Sequence, residues 1–216
     1  MKKCNAPKNQ TTRRILLTAC ATALAVAFTV SLPLQAHAGQ VTVPPVPADL
    51  EVEPGFKAFL EGHAVGTQNY VCQPSGAGFA FVLFTPQATL FNDADHQLII
   101  HFFSPNPDEN GTIRATWENS RDTSTVWAAL VPDGSSTDAA FVAPGAIAWL
   151  KLEVVGHEDG PTGGDKLSET TFIQRLNTSG GLAPLTGCSS LADVGKKAFV
   201  PYAADYFFYR NAGHDR

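Results

Sequence analysis

From Gly66 onward, apolar positions recur every second residue rather than every third or fourth. The segments 67–72, 78–84, 88–91, 97–103, 112–117, 125–130, 146–155, 170–176, 197–202 and 205–210 are rich in β-branched and aromatic residues, and clusters of Gly, Pro, Asn and Asp separate them. Such residues suit a pleated, half-buried surface, and such clusters supply turns. About ten short strands without a long helical period predict an all-β sandwich or barrel. Upstream, Phe56, Phe59 and Leu60 fall at i, i+3 and i+4, which predicts one short helix ending at Gly62.

Alternation also sorts side chains by face. In 97–103, Gln97, Ile99, His101 and Phe103 share one face. In 170–176, Thr171, Ile173 and Arg175 oppose Phe172, Gln174 and Leu176. Near the end, Tyr202, Ala204, Tyr206 and Phe208 oppose Ala203, Asp205, Phe207 and Tyr209. Each strand is apolar on both faces with one or two polar intruders. That pattern fits strands covered on both sides, or a barrel with a partly polar interior.

Residues 1–38 read as a signal peptide. Lys2, Lys3, Lys8, Arg13 and Arg14 form a positive start, Ile15–Leu34 is mostly apolar, and Ala36-His37-Ala38 is a small-x-small cleavage site. The arginine pair suits either a twin-arginine or an ordinary export signal. Cleavage leaves no stable membrane span and places the protein in the periplasm or outside the cell. A proline-rich extended arm (39–55), an all-β domain (56–210) and a short tail (211–216) follow. The chain has fifteen basic and twenty acidic residues; five of the basic and none of the acidic lie in 1–38, leaving a net charge near −10 beyond it. That balance excludes nucleic acid and anionic membrane surfaces as partners, since both require positive patches. Outside the leader the cysteines are Cys72 and Cys188, and two cysteines in an exported chain most simply form one disulfide.

Little in the sequence speaks for catalysis. It has no G-x-S-x-G elbow, P-loop or G-x-G-x-x-G after a strand, and no H-x-H, H-E-x-x-H or C-x-x-C spacing. No cofactor and no metal are therefore expected. His101 stands out because it sits inside a strand; it is a ligand-contacting histidine or a core histidine satisfied by a neighbour. Arg175 and Asp205 are charges inside apolar strands, and each requires a partner. They are expected to pair with each other, with Glu118 as the second choice for Arg175 and a ligand carboxylate as the third reading.

Several segments follow one another along the chain: Gly66-Thr67-Gln68-Asn69-Tyr70-Val71-Cys72, Pro86-Gln87-Ala88-Thr89-Leu90-Phe91, His101, Ala148-Trp149-Leu150, Gln174 to Gly181, Gly187-Cys188 and Tyr202 to Tyr209. In this order they resemble the secreted bacterial and fungal family called domain of unknown function 3455, over about Val43 to Arg210. That family has an unassigned activity, so the resemblance implies one exported domain and no mechanism. Many relatives carry Tyr-x-Gly-Pro-Thr-Trp after the histidine. Here Phe102-Phe103-Ser104-Pro105-Asn106-Pro107 follows it and the nearest tryptophan is Trp117, so no role is carried over to that residue. The candidate ligand-binding set is Gln68, Tyr70, His101, Arg175, Tyr202, Asp205 and Tyr206. The expected function is a non-catalytic binding or cell-envelope protein with an unknown ligand or envelope component as partner. The alternatives are a hydrolase or lyase built on His101, Arg175, Asp205 and Tyr206, or a metal-binding protein using His101.

Overall fold

A computed structural model describes residues 41–213. The expected leader and the last residues of the tail lie outside them. Eight antiparallel strands follow one another around a closed barrel. They are β1 (Phe56–Ser75), β2 (Gly78–Phe91), β3 (Gln97–Asn106), β4 (Thr112–Asn119), β5 (Thr125–Ser136), β6 (Trp149–Glu158), β7 (Phe172–Gly180) and β8 (Lys197–Asn211). Every strand pairs with its sequence neighbour, and β8 returns to β1 from Phe56↔Asn211 to Val71↔Lys197. Closure removes the exposed edges that an open sheet of this size would carry.

Two expectations need correction. The ten segments form eight strands, because 78–84 and 88–91 run on through Pro86 as β2, and 197–202 and 205–210 run on through Ala203 and Ala204 as β8. The pairing of β2 with β3 stops at Ala88↔His101, so Pro86, which has no N–H to give, sits just beyond the last pair. The short helix at Phe56–Gly62 is instead the start of β1. The register shifts between Ala58 and Leu60, which makes Phe59 the extra residue of a β-bulge. Phe56 packs outside the barrel while Phe59 and Leu60 pack against its interior. One inserted residue thus converts a period of two into a spacing that imitates one helical face.

Two apolar clusters lie on opposite faces of the wall. The inner one holds Leu90, Ile99, Trp117, Val126, Ile173, Tyr206 and Phe208. The outer one holds Trp149, Phe172, Leu176, Phe207 and Tyr209, and the segment 41–52 covers it with Val41, Val43, Val46, Leu50 and Val52. Leu50 is completely buried there. Polar contacts fasten the segment at its C-terminal end. Lys151 Nζ donates to the Glu51 carbonyl at 2.7 Å and to Glu53 Oε1 at 2.8 Å. Gln174 Nε2 donates to the Leu50 carbonyl at 2.5 Å, and the Tyr209 hydroxyl donates to Gln174 Oε1. This cover explains why β7 and β8 are apolar on both faces.

Cys72 and Cys188 form the disulfide, 116 residues apart, tying β1 to the loop that precedes β8. The break after the apolar start of β7 serves the site. Asn177 adopts φ +50°, and the β7–β8 register shifts between Leu176 and Ser179. Gly180 and Gly181 also have positive φ, a conformation that glycine accepts without penalty. The segment bends inward, Thr178 Oγ1 donates to the Ile147 carbonyl at 2.6 Å, and the Gly181 carbonyl accepts the Tyr70 hydroxyl.

Candidate ligand-binding site

The barrel encloses a cavity of about 320 Å³. Its wall is built by the inward parity of the strands: Gln68 and Tyr70 from β1, His101 and Phe103 from β3, Ala115 and Trp117 from β4, Leu150 and Leu152 from β6, Arg175 from β7 and Tyr206 from β8. Leu83, Ile113 and Leu130 also line it and are 37, 58 and 52% exposed, whereas Trp117 and Tyr206 are 1% exposed. The cavity therefore has an apolar mouth and a deep floor carrying the polar atoms. Arg114 lies at the wall as well, clamped by both oxygens of Glu109 at 2.6 and 2.7 Å.

On the floor, His101 and Trp117 face each other across the β3–β4 ladder. Their rings stack 4.3 Å apart at 12°, and Tyr206 meets both. His101 Nδ1 lies 2.8 Å from the Thr116 carbonyl. A carbonyl can only accept, so Nδ1 carries the proton. Burial chiefly, with the Arg175 charge beside it, pushes the His101 pKa down to about 3 against the pull of that carbonyl. The ring is neutral at ordinary pH, which makes its Nε2 an acceptor.

Arg175 pairs in register with Tyr206 and shares its inward face. Its Nε and Nη2 donate to the Ala148 carbonyl at 3.3 and 2.8 Å, and the guanidinium also approaches the Tyr206 hydroxyl. Among the described residues no carboxylate forms an ion pair with it. Its charge acts on Tyr70, Tyr202 and Tyr206, yet burial outweighs it and holds all three phenols above their ordinary pKa. They therefore act as hydrogen-bond donors rather than bases. The Tyr202 hydroxyl lies 3.4 Å from that of Tyr206, behind the cavity wall. Trp117 Nε1 on the floor has no hydrogen-bond partner among the described residues, and Gln68 Nε2 has only the Tyr202 hydroxyl beside it.

The expected Arg175–Asp205 pair does not form. Asp205 points outward, where its Oδ1 lies 2.7 Å from His63 Nδ1 and its Oδ2 accepts Asn177 Nδ2 at 2.8 Å. The other His63 nitrogen lies 2.9 Å from Asp93 Oδ1. These carboxylates raise the His63 pKa, Asp205 most. Glu118 sits between Trp117 and Asn119 in β4, opposite in parity to the inward Trp117. The structure thus gathers Gln68, Tyr70, His101, Arg175 and Tyr206 around one cavity, puts Tyr202 next to it, and removes Asp205 to the outer face. It adds Trp117 and the apolar mouth. The inward parity of Ile113, Ala115 and Trp117 was the available signal for these.

The family model described as protein of unknown function (DUF3455) matches residues 54–210. The chain belongs to this family. No curated protein and no solved structure matches it. The DUF3455 match contains all the cavity residues named above and both cysteines of the disulfide, and leaves the outer segment 41–53 outside it. No helix among the described residues is long and apolar enough to cross a membrane.

Proposed function

We propose that this protein is exported and non-catalytic, and that its barrel holds one small, largely apolar molecule. The observation that carries the reading is the 320 Å³ interior cavity with its apolar mouth. Small-molecule sites are concave, mainly apolar, and carry a few placed polar groups. Its polar side chains suit binding better than acid–base chemistry: the phenols are held protonated, His101 is held neutral, and no carboxylate is among the described lining residues. The leader and the disulfide support export to an oxidising compartment. Outward charges at Glu61, His63, Glu153 and Asp205 argue against a lipid-facing wall.

The test uses the neutral probe N-phenyl-1-naphthylamine. Its fluorescence should rise with one-site saturation. Ala115→Trp, which fills the cavity, should abolish the rise while the circular dichroism melt persists. Unsaturable binding, or binding indifferent to the filled cavity, would contradict the reading.

A further inference from the structure

We infer that the ligand is a small organic carboxylate, held head-down with its carboxylate on Arg175 and its apolar body toward the mouth. The inference rests on the binding reading above and adds the chemical class. Three observations carry it. Arg175 is a permanent cation inside an apolar barrel, since guanidinium does not lose its proton in proteins, and its hydrogen-bond partners among the described residues are neutral oxygens. Trp117 Nε1, on a residue 1% exposed, is a donor without an acceptor among the described residues, and Gln68 Nε2, on a residue 2% exposed, has only the Tyr202 hydroxyl beside it. Tyr206 adds a hydroxyl whose proton burial retains, whereas Tyr70 gives its proton to the Gly181 carbonyl.

The polar floor is therefore weighted toward donors around one positive charge. Unpaired buried donors are costly, and a guanidinium matches a carboxylate in a planar, two-point geometry. A neutral alcohol would satisfy one donor and leave the charge unmet. A cation would face Arg175 directly. The opposite end agrees: Leu83, Ile113 and Leu130 surround the opening, so an alkyl or aryl body leaves the floor along an apolar path. Asp205 cannot supply the missing carboxylate, because His63 and Asn177 hold it on the other face of the wall.

The experiment compares octanoate, 1-octanol and octylammonium, matched in chain length, by calorimetry on the wild-type protein. Octanoate should bind roughly tenfold or more tighter than octanol, and octylammonium weakest. Arg175→Met should reduce octanoate to the level of octanol while leaving octanol nearly unchanged. Arg175→Lys should restore part of the preference. Equal binding of octanoate and octanol by the wild type would overturn the carboxylate inference and leave the barrel a binding site. A preference that survives in Arg175→Met would overturn Arg175 as the anchor. Absence of binding by all three probes and by the neutral naphthylamine would overturn the binding reading itself. If Arg175→Met does not fold, the wild-type ranking and Arg175→Lys still decide.

Discussion

Acidification should destabilise this barrel through His101 in a way that one substitution isolates. In the unfolded chain the imidazole takes up its proton near pH 6.5, whereas in the native state burial and Arg175 delay protonation until about pH 3. A base with a depressed native pKa contributes stability above its unfolded pKa and loses it as pH falls. Below pH 6.5 the loss grows by about 1.4 kcal/mol per pH unit, so moving from pH 7.5 to pH 5 should cost about 2 kcal/mol from this residue alone. His63 works in the other direction. Its raised native pKa, caused first by Asp205 and then by Asp93, gives stability that is full below pH 6.5 and fades as pH rises through the native value. The whole-protein profile therefore mixes opposing terms, and the informative quantity is a difference. His101→Gln keeps an amide donor for the Thr116 carbonyl and cannot titrate. Urea denaturation of wild type and variant, with the disulfide intact, should give a stability gap that narrows by about 2 kcal/mol between pH 7.5 and pH 5. Parallel stability curves across that range would refute the buried, neutral His101 on which the cavity electrostatics rest.

Two further outcomes follow from the outer cover and the disulfide. Leu50→Ala empties a fully buried site beneath the segment 41–52 and should cost about 2–5 kcal/mol in urea unfolding; a cost near zero would mean that the segment does not pack on the barrel in solution. Alkylation before reduction should find both cysteines blocked, and replacing Cys72 and Cys188 by Ser should cost up to about 4–5 kcal/mol, given a closed loop of 116 residues.

The side chains that alternation assigned to one face are those that line the barrel: Ile99, His101 and Phe103, then Arg175, then Tyr206. Inward parity was legible because burial on two faces does not erase a period of two. What failed was information between strands. Arg175 and Asp205 looked like partners because both are charges in apolar segments, but register decides partners: Arg175 faces Tyr206, and Asp205 faces Leu176. Trp117 received no role because its distance in sequence from His101 was long. The antiparallel ladder makes the two direct neighbours whatever the length of the connecting turn. The false helix at Phe56–Gly62 has a similar origin, since a bulge is set by the partner strand and leaves no local signal. The outer segment's packing depends on a surface assembled from β6, β7 and β8, which no single stretch of sequence displays.

The most direct test of the account is a crystal structure of the protein grown with octanoate. The carboxylate should lie about 3 Å from the Arg175 guanidinium, with Trp117 Nε1 or Gln68 Nε2 donating to it and the chain directed toward Leu83, Ile113 and Leu130. Octanoate bound only on the outer surface, with the interior cavity unchanged, would contradict it.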